Sequence, residues 1–92
     1  MPVIVKSHAV NMSREIYEGS VSQLGAAVTT FPGFHAHYSW VDDEGGHVIE
    51  VWESREAFDK WMNEMIAPAM GQMNIEVRTE FQPIDTVILR KS

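Results

Sequence analysis

Apolar and polar residues alternate along four short stretches of the chain, which predicts four β-strands at residues 3–10, 33–42, 47–52 and 75–81. On a strand, side chains two positions apart point to the same face. The alternation on the second strand therefore predicts one face with Phe34, Ala36, Tyr38 and Trp40 and the other with His35, His37, Ser39 and Val41.

Helical spacing follows the first strand. Tyr17, Val21, Leu24 and Val28 are separated by four, three and four positions, the pattern of an amphipathic helix. Asn11 or Ser13 is the expected N-cap, and residues 29–33 (Thr-Thr-Phe-Pro-Gly) are expected to end the helix.

A second helix is predicted to begin at Ser54, where the period of the apolar positions changes from two to about 3.6. Ser54 can cap the first free N–H groups, and Glu56 places negative charge in the first turn. Pro68 predicts a kink or break, followed by a short turn to Met73. The apolar positions of this helix are Phe58, Trp61, Met62, Met65 and Ile66.

The order strand, helix, strand, strand, helix, strand predicts an α+β fold, the ferredoxin-like βαββαβ arrangement with an antiparallel sheet and both helices on one face. Residues 42–46 (Asp-Asp-Glu-Gly-Gly) are the expected hairpin turn. The face under the helices is predicted to hold Val3, Val5, Phe34, Ala36, Tyr38, Ile49, Val51, Ile75, Val77 and Phe81. The opposite face is predicted to hold His8, His35, His37, Ser39, Glu50, Trp52 and Arg78. With Trp52 and Val48 on it, this second face suggests coverage by a second copy of the chain.

Composition narrows the classes of partner. The 92 residues predict a single domain, 1–92, and a net charge of −6 argues against nucleic acid and anionic membranes, which reward clustered Lys and Arg. There is no cysteine, so disulfides and thiolate metal sites are excluded. No run of about 20 apolar residues predicts a membrane span, and no signal peptide is visible, so we expect a cytoplasmic protein.

Residues 48–58 (Val-Ile-Glu-Val-Trp-Glu-Ser-Arg-Glu-Ala-Phe) resemble the strand-to-helix signature of the dimeric α+β barrel proteins, most of all the antibiotic biosynthesis monooxygenase (ABM) type domain. The resemblance implies a homodimer in which two sheets face each other, with the helices outside. That family includes cofactor-independent monooxygenases of polycyclic phenols, haem-degrading enzymes and members of unknown activity.

The haem-degrading branch fits this chain poorly. Trp61 matches the helix tryptophan that lines the haem pocket in that branch. Its axial histidine would fall near Gly71, and its first-strand asparagine near Ser7 or His8, so both are missing. We therefore expect no haem and no other cofactor.

The chemical candidates on the strands are His37, His35 and Glu50. His35 and His37 are two positions apart, and Glu50 on the paired strand is expected to share their face. A carboxylate beside a histidine fixes its tautomer, which suits a general base acting on a phenol. Two alternatives stay open, a hydrogen-bond network inside a dimer interface and a two-histidine, one-carboxylate metal triad; we expect no metal.

Trp52, Trp61, Tyr38 and Met65 are the expected substrate-binding residues, because aromatic rings and methionines adapt to apolar ligands. The same spacing is also typical of ordinary core residues. The leading hypothesis is thus a cofactor-independent monooxygenase acting on an aromatic or polyphenolic metabolite. The alternatives are a non-catalytic dimeric ligand-binding or structural domain, and a cofactor-free cyclase or isomerase.

Overall fold

The computed structural model describes residues 1–91 and contains a four-stranded antiparallel sheet in the order β2-β3-β1-β4. The elements are β1 (Val3–Val10), α1 (Arg14–Val28), β2 (Phe34–Asp42), β3 (Gly45–Trp52), α2 (Arg55–Trp61), a π-helical segment (Met62–Ile66), α3 (Ala67–Gln72) and β4 (Val77–Pro83). This order confirms the predicted ferredoxin-like α+β fold. Among residues 1–91 no helix is both long and apolar enough to cross a membrane.

The helix ends follow the predicted capping chemistry. Ser13 caps α1, its hydroxyl oxygen accepting a hydrogen bond from the backbone N–H of Ile16. Ser54 caps α2 by accepting from the N–H of Ala57, and Glu56 lies in the first turn. Each such cap contributes about 1 kcal/mol by satisfying an otherwise unpaired donor.

Pro68 lies within an unbroken run of helical residues, so the break that was one of the two predicted outcomes does not occur. The helix widens first, in the π-helical segment, where the N–H of Ala67 bonds to the carbonyl of Met62 five residues earlier. Proline in an α-helix lacks an N–H and clashes with the carbonyl four residues before it. A π-turn changes that register, so the chain passes Pro68 and continues to Gln72.

The β2–β3 hairpin is closed by Gly45, whose φ of +124° is unfavourable for residues with a side chain. A Cβ atom on Gly45 would lie 2.1 Å from the carbonyl oxygen of Ala9 on the neighbouring strand. The hairpin turn therefore lies where it was predicted. It is shorter than predicted, because Gly45 and Gly46 already belong to β3.

The fourth strand begins two residues later than predicted. The N–H of Ile75 bonds to the carbonyl of Met70 at the end of the helix, and Asn74 adopts a positive φ. Ile75 therefore belongs to the connection, and pairing with β1 covers Val77 to Pro83.

Several sequence-based face assignments on the β2–β3 hairpin were wrong. Trp52 is fully buried, with Phe31, Phe34 and Phe58 packed edge-on around it, so it lies under the helices and not on the open face. Glu50 shares that inner face, since it is two residues away on the same strand. Ile49 and Val51 accordingly lie on the outer face, where Ile49 pairs with Tyr38.

Candidate active site

A register shift in β2 determines which side chains reach the helices. Phe34 is opposite Trp52, Ala36 is opposite Val51 and His37 is opposite Glu50, so the chain gains one residue at His35. Such a bulge reverses the alternation of faces beyond it. Phe34 and His37 therefore both face inward although they are three positions apart, and the predicted sharing of one face by His35 and His37 is broken.

The position of Ser39 supports this orientation independently. Its hydroxyl lies 2.8 Å from the hydroxyl of Tyr17 on α1, which places Ser39 under the helices. His37 precedes Ser39 by two positions with regular pairing between them, and so shares its face. His37, Ser39 and Glu50 were expected on the open face and lie instead on the covered one.

His37 and Glu50 form a short hydrogen bond across the hairpin. The distance from His37 Nδ1 to Glu50 Oε2 is 2.6 Å, and Glu50 is only 5 % exposed. The other carboxylate oxygen, Oε1, accepts a hydrogen bond of 3.1 Å from the indole N–H of Trp52. No buried side-chain nitrogen or oxygen among residues 1–91 is left without a partner.

This arrangement prepares His37 to accept a proton. An ionised carboxylate can only accept hydrogen bonds, so with Glu50 ionised the proton of the neutral imidazole lies on Nδ1. The lone pair is then on Nε2, the other ring nitrogen.

His37 and Glu50 border a cavity of about 550 Å³ between the sheet and the helices. Most of its wall is apolar, and the helices contribute most of that apolar surface. The main apolar wall residues are Val21, Leu24, Val28, Phe58, Trp61, Met62, Ile66 and Met70. A cavity of this size, mostly apolar with a few polar groups, is typical of a small-molecule site.

The cavity receives only some of the predicted binding residues. Trp61 lines it, next to the π-helical segment whose Met62 and Ile66 are also in the wall. Tyr38 is also among the bordering residues, but its side chain was predicted under the helices and lies instead on the outer face, opposite Ile49 and 67 % exposed. Trp52 and Met65 are not among the lining residues: Trp52 is buried behind Glu50, and Met65 packs against the core.

His35 lies apart from the pair. It is exposed, it sits at the bulge, and it is not among the residues that line the cavity. Within residues 1–91 no group of three His, Cys, Asp or Glu side chains is placed to hold a metal ion.

Sequence reasoning missed the hydroxyl pair of Tyr17 and Ser39, both of which line the cavity. Tyr17 was predicted on the apolar stripe of α1, which is where it lies, but its polar tip had no predicted partner. Only the bulge brings Ser39 to face it, and a single unpaired residue in a strand has no clear signature in the alternation of apolar and polar positions.

The outer face of the sheet carries a separate aromatic row. Trp40, His47 and His8 are register partners on three adjacent strands. The ring of His47 stacks between the other two, with centroid distances of 5.1 Å to Trp40 and 4.7 Å to His8. His47 Nε2 also bonds to Asp42 Oδ1 at 2.9 Å.

Asp42 is the group with the clearest electrostatic perturbation. The hydrogen bond from the His47 ring, followed by one from the backbone N–H of Glu44, holds the pKa of the Asp42 carboxyl below its ordinary value of 3.8. Both donors stabilise the charged form of the carboxylate.

Residues 3–72 match the family model described as antibiotic biosynthesis monooxygenase, which covers more than half of the chain. The chain belongs to this family. The predicted ABM-type resemblance is thereby confirmed, and membership supports a monooxygenase function in general.

Solved structures share the fold of this ABM protein at low sequence identity. SnoaB, a cofactor-independent oxygenase from Streptomyces nogalater, is 16 % identical, with 97 % of each chain covered and a TM-score of 0.67. Rv0793 from Mycobacterium tuberculosis is 17 % identical, with 96 % of this chain and 100 % of that one covered and a TM-score of 0.69. NE2512, a protein of unknown function from Nitrosomonas europaea, is 11 % identical over 99 % of this chain and 94 % of that one, with a TM-score of 0.71. No curated protein matches the sequence.

Proposed function

We propose that this ABM protein is a cofactor-independent monooxygenase that oxidises an aromatic, phenolic metabolite in the cavity under its helices. The observation that carries the proposal is the His37–Glu50 hydrogen bond of 2.6 Å at the wall of a mostly apolar cavity. Such a cavity favours a planar apolar ligand, and the pair supplies a base where the ligand needs one.

In this mechanism Nε2 of His37 removes the proton of a phenol hydroxyl. Glu50, held by Trp52, stabilises the imidazolium that results. The electron-rich phenolate passes one electron to dioxygen, and the two radicals combine to form a carbon–oxygen bond. The resulting peroxide anion takes back the proton held by His37, which regenerates the base. Loss of water from the peroxide leaves a quinone, so that a phenol and dioxygen give a quinone and water. The substrate supplies all the electrons, and no external reductant is needed.

The wall of the cavity supports the same step by limiting access of water. Phe58, Trp61 and Met70 are each less than a tenth exposed and place apolar surface around the ligand. Glu50 is buried, so its charge is screened less than that of a carboxylate in solvent, whereas the His37 side chain is 34 % exposed.

This proposal includes a homodimer, but the residues that favour it differ from those that the sequence placed on the open face. Trp52 and Val48 do not lie on the open face, but Tyr38 and Trp40 do, and they are 67 % and 47 % exposed. Large exposed aromatic side chains on one sheet face favour an interaction surface. Sedimentation equilibrium of the native protein tests this, and a monomer at all concentrations would contradict it.

The test of function is oxygen uptake and quinone absorbance with a panel of phenols, under air and under nitrogen. We expect turnover only under air, and a loss of about 10²-fold or more in His37→Ala, the usual contribution of a general base. His35→Ala is the matched control and should keep its activity, because His35 lies outside the cavity wall.

Three outcomes would overturn the proposal. Turnover that continues under nitrogen would indicate a cyclase or isomerase using the same histidine. Equal losses in both histidine variants would remove the assignment to His37. Binding of phenols without turnover under any condition would indicate a non-catalytic binding domain.

A further inference from the structure

The inner face of β2 presents two polar groups to the cavity, and the proposed base is only one of them. His37 and Ser39 are two positions apart on the same face, which separates their Cα atoms by about 7 Å. Ser39 bonds to Tyr17, and all three residues line the cavity. The cavity wall thus carries the proposed base at His37 and a pair of hydroxyl groups two residues further along β2.

The hydroxyl pair retains hydrogen-bonding capacity for a ligand. Each hydroxyl has one proton and two lone pairs, so the pair has two protons to donate. The 2.8 Å bond between Tyr17 and Ser39 uses one of them, whichever residue is the donor. The second proton and the remaining lone pairs are available at the cavity wall. A polar ligand atom placed there gains a hydrogen bond in a site with few others.

The pair is also held in place from both sides. Tyr17 projects from α1, whose N-terminus is capped by Ser13, and Ser39 is paired to Val48 within the regular part of the hairpin. Oriented donors lose less entropy on binding than mobile ones, so a fixed hydroxyl pair discriminates between ligands more sharply.

We infer that Tyr17 and Ser39 are specificity-determining residues that bind a second oxygen of the substrate. The ligand chemistry is then an aromatic with two separated oxygen functions, one hydroxyl directed to His37 and the other oxygen to the Tyr17–Ser39 pair. This inference rests on the proposed function for the role of His37, but its own prediction concerns binding alone.

Two probe ligands isolate the second oxygen: a naphthalene diol with one hydroxyl on each ring, and the naphthol that lacks one of those hydroxyls. Isothermal titration should show that the native protein binds the diol about tenfold more tightly, the value of one neutral hydrogen bond. Ser39→Ala and Tyr17→Phe should lose this preference while still binding the naphthol like the native protein.

Two further variants separate recognition from stability. Ser20→Ala removes a serine hydroxyl that also lines the cavity but is not bonded to the sheet, and should keep the preference. Ser39→Thr retains the hydroxyl on a strand-compatible side chain and should restore the preference lost in Ser39→Ala.

The inference is overturned if the native protein binds the two ligands equally or binds neither. It is also overturned if Ser39→Ala and Tyr17→Phe, folded by circular dichroism, keep the native preference. Failure of the proposed function has a different signature, since the diol preference would then persist while oxygen uptake and the effect of His37→Ala were absent.

Discussion

Two histidine–carboxylate pairs lie on opposite faces of the same hairpin. On the inner face His37 and Glu50 are 2.6 Å apart, and the Glu50 side chain is 6 % exposed. On the outer face His47 and Asp42 are 2.9 Å apart, and the Asp42 side chain is 48 % exposed. Each pair joins an imidazole to a carboxylate, through Nδ1 in His37 and through Nε2 in His47, and the two pairs differ further in their surroundings.

The surroundings give each carboxylate a different task. Glu50 receives a second hydrogen bond from a buried indole, and its histidine opens onto an apolar cavity. Asp42 receives its second hydrogen bond from the backbone N–H of Glu44 in the turn, and its histidine lies in an aromatic stack. The carboxylate of the inner pair is buried and that of the outer pair is solvated, whereas the His37 side chain, 34 % exposed, is more open to water than that of His47, 21 % exposed. The inner pair is thus suited to proton transfer and the outer pair to holding the hairpin.

The largest expected effect comes from Gly45, the glycine that closes the hairpin carrying both pairs. Gly45→Ala forces a side chain into a positive φ and against the carbonyl of Ala9. We expect a loss of at least about 3 kcal/mol in the free energy of unfolding, the upper range for local backbone strain. Urea titration measures it. Gly71→Ala is the control, since nothing lies within 4 Å of the added Cβ and alanine favours a helix by up to about 1 kcal/mol. Equal behaviour of the two variants would contradict the role of Gly45.

Replacing each carboxylate by the corresponding amide tests whether the inner pair transfers protons and the outer pair only stabilises the hairpin. Glu50→Gln keeps the shape of the side chain but removes the charge that stabilises the imidazolium, so turnover should fall about 10²-fold. Asp42→Asn makes the same change on the outer face and should leave turnover as it is. The measurement is the steady-state rate of Glu50→Gln and of Asp42→Asn with the phenol that the native protein oxidises fastest. A comparable loss in both variants would contradict the assignment of proton transfer to the inner pair.

Sequence reasoning predicted the element order, both serine caps and the hairpin, because these depend on local chemistry within a few residues. It also placed Glu50 beside the two histidines His35 and His37, since the hairpin turn sets the register approximately, and the structure pairs Glu50 with His37. It failed on the face they occupy. An unbroken alternation from Phe34 to Trp40 suggested a regular strand, and the extra residue at His35 reversed it. The extra residue also brings His37, which was predicted on the face away from the helices, into the same cavity wall as Trp61.

A smaller effect is expected from the indole that supports the inner pair. Trp52→Phe keeps most of the aromatic packing but leaves Oε1 of buried Glu50 without its donor, at a cost of about 1–3 kcal/mol. Trp40→Phe makes the same change in the outer stack, where the side chain is 47 % exposed, and should cost no more than about 0.5 kcal/mol. Thermal unfolding of both variants measures the difference. Equal costs would mean that packing, and not the hydrogen bond to Glu50, sets the value.

The smallest expected effect is the pH dependence of the outer pair. Because hydrogen bonds lower the pKa of Asp42 in the folded protein below 3.8, the folded state favours the ionised carboxylate. The resulting stabilisation is fully present above the ordinary aspartate pKa and is lost as the pH falls through the lower folded value. The melting temperatures of the native protein and Asp42→Asn should therefore differ slightly at neutral pH and converge in acid. Added salt should shrink the neutral-pH difference, because the carboxylate is solvated. A difference that survives undiminished in acid would show that Asp42 acts through its shape and not its charge, and the outer pair would then lose its electrostatic role.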